Sequence, residues 1–496
     1  MPEELLIDVN EFETRIALVR DHVLQEVHLD RSGTYSLTGN IYRGKVERIL
    51  PGMQAAFVDI GLPRPGFLHA REIHSQRVAP NQDGSAEPDI RELLHAGQSL
   101  LVQVAKDPIS SKGARLTTNL AIAGRYMVLL PLGGHIGISQ RIDDEAERER
   151  LRQVAQTASA ELGLDAGSIV RTAAEGTTQE KIFTDLEMLM RIWSRIRERD
   201  SRGDRLVYEE LPMHIRVIRD LASTALEAVR VNDVRTFERI DAYMRSYLPE
   251  FPDRLLLVDD EDPQLFERHG VEDELQRSLG KNVELKSGGG LIIEQTEAMI
   301  TIDVNSGAFL GTKNLEETAF RTNLEAASVI PRQLRLRNLG GLIVIDFIDM
   351  CDADHQRKVL RALEKAAALD PGRIRMTGFS TLGLVEMSRK RTRKSVAQQM
   401  CEPCPACTGS GLVKTAQTTC YEVFRSIKRD ARLRFDAAER GEYTVRAHES
   451  VIDRLLDEHA AHLQSLVAEI GRAVRLQVEP SCGAGEFDVV FVPVSR

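Results

Sequence analysis

The sequence has 496 residues, room for about three domains that each bury a core. Hydrophobic residues make up 42% and charged residues 28%, which excludes wholesale disorder, and no apolar run nears the ~18 residues of a membrane span. A net charge of −10 and an acidic start without an apolar signal core point away from a globally basic binder and from secretion. A cytoplasmic protein is expected, meeting any polyanion through local patches.

Residues 1–38 read as short strands, with Val23, Gln25, Val27 and Leu29 alternating against Leu24, Glu26 and His28. Residues 39–125 then read as a compact all-β module. Asn40–Ile49, Gln54–Ile60, Gly66–Ala70, Ser99–Ala105 and Ala114–Thr118 are short strands parted by glycine turns, the pattern of an OB-fold barrel, with 75–98 as an inserted loop. Phe57 and Phe67 stand among Lys45, Arg48, Lys106, Lys112 and Arg115. They are either barrel core or stacking faces among phosphate-attracting charges. Amphipathic helices follow at Asp144–Leu162 and Glu180–Arg199. Between them Ser168–Ala173 is a strand ending in Arg171 and Thr172, a guanidinium and hydroxyl suited to a terminal phosphate. Residues 209–280 carry little chemical signal.

Lys281–Ser395 reads as α/β. Leu291–Gln295 and Met299–Asp303 form a hairpin, and 314–338 a helix kinked or broken near Pro331 and ended by Gly340 and Gly341. Leu342–Asp346 is the next strand, Asp352 or Asp354 caps a helix, and Met376–Met387 returns to the sheet. Two apolar runs thus end in aspartates, Asp303 and Asp346. A strand–helix–strand crossover is normally a right-handed parallel unit, which brings both ends to one sheet edge, where ligand sites collect. Paired carboxylates there suit Mg²⁺, which keeps part of its water shell and activates phosphodiesters. Asn305 and Asp349 stand close enough in sequence to orient water or phosphate. Asp346, between Ile345 and Phe347, is expected to be poorly solvated and to need neutralising. The bland alternative makes one aspartate a helix cap and the other a structural hydrogen-bonding group. The basic run Arg389–Lys394 is either a solvated surface helix or a track for a phosphate backbone.

Cys401, Cys404 and Cys407, followed by Gly409 and Gly411, form a Cys-x-x-Cys turn suited to Zn²⁺. No βαβ context supports a thioredoxin-like motif. A closed site needs four ligands. Either Cys420 completes a set within the chain, or Cys404 and Cys407 meet the same pair of a second chain and link a homo-oligomer.

Several segments together carry a family resemblance: Gly52–Gly61, Lys112–Thr117, Ile302–Ser306, Arg335–Gly340, Ile345–Asp349, Gly383–Arg389 and Cys404–Cys407. Over nearly its whole length the chain resembles the RNase E/G endoribonucleases, and its barrel resembles the RNA-binding barrel of ribosomal protein S-one. The resemblance implies a Mg²⁺-dependent endoribonuclease that cuts single-stranded A/U-rich RNA, is stimulated by a 5′-monophosphate and leaves a 5′-phosphate and a 3′-hydroxyl. Its implied roles are rRNA 5′-end maturation and mRNA decay. It implies that Asp303 and Asp346 hold Mg²⁺ with Asn305 assisting, and that Phe57, Phe67, Lys112 and Arg373 contact RNA. Gly124, Val128, Arg141, Arg171 and Thr172 would sense the 5′-phosphate, and Cys404 and Cys407 would share Zn²⁺ between protomers.

The implied architecture is multidomain, α+β and α/β. An OB-fold RNA-binding barrel (39–125) is inserted in an RNase H-like scaffold without its own active site (1–38 and 209–280). The sensor region (126–208), a DNase I-like catalytic domain (281–400), a zinc-link (401–415) and a small α/β domain used in assembly (416–496) follow. No degradosome scaffold tail is expected after Arg496. The competing expectation is a non-catalytic RNA-binding ribosome-assembly factor with structural aspartates.

Overall fold

The computed structural model describes residues 3–31, 36–74, 89–108, 113–221, 225–248, 251–258, 265–307, 315–370, 372, 374–391, 393–435, 441–483 and 485–493. Lys112 and Arg373, two of the expected RNA contacts, lie outside these residues. The chain forms two compact units, Met1–Gln399 and Met400–Arg496.

In the first unit, a five-stranded sheet runs in the order Leu255–Leu257, Leu226–Val231, Glu3–Val9, Glu13–Arg20, Val23–Arg31. Its first three strands are parallel and the last two antiparallel, so the amino-terminal hairpins and residues from beyond 225 share one sheet. Leu5, Ile7, Ile16 and Leu18 form its core with Ile218, Ile240 and Met244.

The next strands are Ile41–Leu50, Ala55–Asp59, Gly66–His69, Arg115–Thr117 and Ser99–Lys106, each hydrogen-bonded to the one before. Ser99–Lys106 then pairs back onto the first, Ile41 opposite Gln103 and Lys45 opposite Ser99, and closes a five-stranded OB-like barrel. Closure leaves such short strands no open edge. Val46, Val58, Leu68, Val102 and Leu116 fill the inside. Gly66 permits that packing, since a Cβ there would stand 2.5 Å from the Leu116 side chain. Beside the barrel, a four-stranded sheet carries the helices Glu145–Glu161 and Gln179–Arg202, joined through Leu151, Ala155, Leu186 and Leu189.

A six-stranded sheet ends this unit, in the order Asn282–Glu284, Gly290–Gln295, Met299–Asn305, Gly341–Asp346, Leu384–Arg389, Ile374–Phe379. Only its central pair, Met299–Asn305 with Gly341–Asp346, is parallel. The crossover helix Leu315–Leu336 and the helix Ala353–Ala367 pack Ala327, Ile330, Leu334, Val359 and Leu363 onto one face. Of the two outcomes expected at Pro331, a kink or a break, the break does not occur: the helix runs through it, with Pro331 buried. Proline costs one backbone hydrogen bond there, but burial of the flanking Ile330 and Leu334 holds the helix against the sheet.

The second unit has a three-stranded sheet, Val474–Val478, Gly441–Ala447, Phe487–Pro493, covered by the helices Ala416–Phe435, Glu449–Leu456 and Ala460–Ile470. Val423, Ile427, Tyr443, Val445 and Leu455 form its core. Among the described residues, no helix is long and apolar enough to cross a membrane.

Candidate functional site

Asp303 and Asp346 are register partners in the parallel pair at the centre of the six-stranded sheet. In-register neighbours point to the same face. Ile302, Val304, Ile345 and Phe347 are buried beneath the helices, so the alternation turns both aspartates to the opposite, open face, where both are exposed. The expectation that Asp346 is poorly solvated is therefore wrong; its apolar neighbours face away from it. Among the described residues neither carboxylate forms an ion pair, although adjacent strands stand only ~4.8 Å apart. The Asn305 amide donates to Asp303 Oδ2 at 2.7 Å and orients that carboxylate. Two carboxylates side by side without an ion-pair partner among the described residues, one of them oriented by Asn305, fit a divalent cation. No set of three or more His, Cys, Asp or Glu gathers among the described residues; paired carboxylates suit Mg²⁺, which takes one or two carboxylates and keeps several waters. Asp349 lies at the same edge, exposed, its carboxylate 3.7 Å from where a Gly383 Cβ would stand.

The crossover helix holds the loops around this pair. Asn323, fully buried, donates from Nδ2 to the Ile348 carbonyl at 2.7 Å and accepts the Ile348 N–H on Oδ1 at 3.0 Å. Glu316 accepts the N–H groups of Cys351 and Asp352 at 3.0 and 3.2 Å, which holds its carboxyl below the usual range. Glu325 accepts from Lys286 and Ser287 at 2.6 and 3.1 Å, fixing the turn before the hairpin. Asp352, of the two candidates, caps the next helix by accepting from Asp354 N–H at 2.7 Å. The signal for Asn323 was available: an amide at helical spacing from the apolar Ala319, Ala326, Ala327 and Ile330.

The described residues of the basic run form no helix, and two of its arginines are held by internal partners. Arg389 ends a strand and is buried against Asp370, with Nε to Oδ2 at 2.9 Å and Nη2 to Oδ1 at 3.2 Å. Arg391 donates to the Gly340 carbonyl at 2.6 Å, and Arg393 to Glu26 at 3.0 Å and to His28. Burial raises the Glu26 carboxyl, but its bond to His28 and the charge of Arg393 outweigh this and hold it at about 2. Arg389 and Arg393 are tied to other elements, leaving Lys390, Arg391 and Lys394 exposed.

Phe57 and Phe67 are not barrel core. They face each other across adjacent strands on the outer side, half-buried, with ring centroids 6.2 Å apart and planes at 68°. Arg48 is the cross-strand partner of Phe57 and Arg115 that of Phe67, so the register lays out a row Arg48–Phe57–Phe67–Arg115.

Arg171 donates to the Gly124 carbonyl and pairs with Asp220 at 2.8 Å. Thr172 Oγ1 meets Ser139 Oγ at 2.9 Å, and that hydroxyl also receives the Arg141 N–H at 3.4 Å. The Arg141 guanidinium reaches the Asp370 carbonyl at 3.1 Å, and Val128 pairs with Ala123 and Ile169. Asp185 was not anticipated. It accepts the N–H groups of Arg125, Tyr126 and Met127 at 3.1, 2.9 and 2.8 Å, and a Cβ at Gly124 would collide with it at 2.5 Å.

In the second unit, Cys401 and Cys404 are exposed and Cys407 is partly so. The N–H groups of Gly411 and Gly409 lower the Cys407 thiol, which suits a metal-binding thiolate. Cys420 is fully buried and donates to the Val451 carbonyl at 3.6 Å, and burial pushes its thiol up. It is a core residue, which removes it as the fourth ligand.

Residues 121–392 match the family model of the Ribonuclease E/G family. The chain is 46% identical over 497 residues to Ribonuclease G of Salmonella typhimurium (strain SL1344), covering 99% of this chain and 100% of that protein. Identity and coverage are the same for Ribonuclease G of Escherichia coli (strain K12). With Ribonuclease E of Escherichia coli (strain K12) it shares 37% identity over 435 residues, 87% of this chain and 41% of that protein. These relatives define an endoribonuclease, which sets aside the non-catalytic assembly factor. The chain belongs to the Ribonuclease E/G family.

Proposed function

We propose that this endoribonuclease hydrolyses single-stranded, A/U-rich RNA at Asp303 and Asp346 with Mg²⁺, responds to a 5′-monophosphate, and serves rRNA 5′-end maturation and mRNA decay in the cytoplasm. The observation that carries the reading is the in-register pairing of the two aspartates on an open sheet face. When bound there, Mg²⁺ supplies Lewis-acid polarisation of the phosphodiester and lowers the pKa of an attacking water. Asp303 and Asp346 hold the ion, and Asn305 fixes the Asp303 carboxylate. Water attacks phosphorus, the bond to the 3′ oxygen breaks, and the products carry a 5′-phosphate and a 3′-hydroxyl.

Phe57 and Phe67 stack bases while Arg48 and Arg115 flank the backbone, an arrangement supported by their shared row. Lys112 and Arg373 complete the RNA contacts in this reading. Arg171 and Thr172, with Gly124, Val128 and Arg141, take the terminal phosphate, which draws Arg171 from Asp220. Cys404 and Cys407 supply half of a zinc set that the same pair of a second protomer completes, giving a homodimer or higher oligomer. The strand order around Glu3–Val9 supports an RNase H-like scaffold (1–38 and 209–280). The acidic sheet supports a DNase I-like catalytic domain (281–400), with the zinc-link (401–415) and small domain (416–496) beyond it.

The test is Asp303→Asn, with Asp346→Asn beside it. Cleavage of a 5′-monophosphorylated A/U-rich oligonucleotide should fall to background while RNA binding survives. Retained cleavage would overturn the assignment.

A further inference from the structure

The helix Ala416–Phe435 of the second unit presents two faces. Cys420, Val423 and Ile427 are buried in the core. On another side Arg425, Lys428, Arg429 and Arg432 line an open recess of about 530 Å³. These cations are spaced three, four and seven positions apart, so like charges stack one turn above another, an arrangement that destabilises a helix.

Nearby carboxylates relieve the crowding only at Lys428. Glu422 pairs with Lys414 at 2.8 Å, Asp430 with Arg434 at 2.6 Å and with the Tyr443 hydroxyl at 2.9 Å, and Glu469 with Lys428. Arg425, Arg429 and Arg432 are exposed, and among the described residues none pairs with a carboxylate. Elsewhere exposed helical arginines commonly face a carboxylate one turn away, as in Arg191 with Glu187, Arg245 with Asp241 and Arg321 with Glu317. In a protein of net charge −10, three unmatched guanidiniums on one helix form a local site for a polyanion. Guanidiniums are also the cations whose planar fork matches phosphate.

We propose that this face of the second unit binds the phosphate backbone of the RNA substrate, as a contact separate from the acidic pair and from the barrel row. The inference rests on RNA being the substrate and not on the catalytic assignment. Phosphate contacts carry affinity and position but no base sequence. The face therefore favours long RNA over short fragments whatever their composition.

The test uses the full chain carrying Asp303→Asn, with binding of a long single-stranded RNA followed as salt is raised. Changing Arg425, Arg429 and Arg432 together to Glu should lower the slope of log affinity against log salt by about 2, roughly 0.7 for each of three lost phosphate contacts. The triple change to Lys should keep the slope. An unchanged slope in the Glu variant overturns the proposal. So does a change of mass in sedimentation with the slope intact, which would make the face a contact between copies. If the Glu variant does not melt cooperatively, the triple change to Gln gives the same reading without reversed charge. If Asp303→Asn still cleaves, the catalytic assignment alone fails, and binding is read in chelator instead.

Discussion

Replacing Asn323 by Ala tests how the crossover helix governs the acidic pair. The Asn323 amide makes two bonds to the Ile348 backbone, 2.7 Å to its carbonyl and 3.0 Å from its N–H, two residues beyond Asp346. Truncation strips partners from both backbone groups, each costing ~1–3 kcal/mol when buried. Ile348 is only half-buried, so water recovers part of this and the loss should total about 2 kcal/mol. The greater effect should be chemical. Groups that orient metal ligands typically cost ~10–100-fold in metal affinity or activity when removed, and Asn323 fixes the loop that leaves Asp346. Mn²⁺ binding by electron paramagnetic resonance, turnover of a 5′-monophosphorylated oligonucleotide and thermal melting separate the two effects. Mn²⁺ affinity and kcat should fall together, with KM for RNA little changed. A variant melting lower but binding Mn²⁺ and cleaving like the parent chain would refute the reasoning, because the clamp would then be structural only.

Other outcomes follow from the same geometry. Arg171→Ala should erase the advantage of 5′-monophosphate over 5′-hydroxyl substrates, and an unchanged rate ratio counts against the sensor. Phe57→Ala and Phe67→Ala should each weaken single-stranded RNA binding by ~1–3 kcal/mol, the worth of a stacked base. Melting should hardly move, because both rings stand outside the barrel core; a large drop would return them to it. Cys404→Ser should release zinc and shift sedimentation towards monomer, whereas Cys420→Ser should leave zinc bound. Glu26 is held at about 2, below its ordinary 4.5, so its stabilising contribution is present above pH 4.5 and lost as pH falls towards 2. Glu26→Gln should flatten the fall of stability with acid over that window, and an unaltered acid transition would refute it.

What the sequence determined by itself was local. Short strand-like runs parted by glycine turns marked the barrel, helical periodicity marked the two helices of the 126–208 region, and two apolar runs ended in Asp303 and Asp346. These signals survive because each depends on residues within one element.

Tertiary structure decided the rest, because the deciding contacts join residues far apart in the chain. Burial on the helix-covered sheet carried the crossover helix through Pro331, where local rules predict a kink or a break. Packing consumed Arg389 and Arg393, which in sequence look like free charge, and drew Cys420 into a core. Barrel closure and the Arg48–Phe57–Phe67–Arg115 row are properties of register between strands, which no single strand encodes. The acidic pair shows the division most clearly. Sequence marked the two aspartates, but only the parallel register set them side by side, and only the burial of Ile302, Val304, Ile345 and Phe347 turned both to the open face.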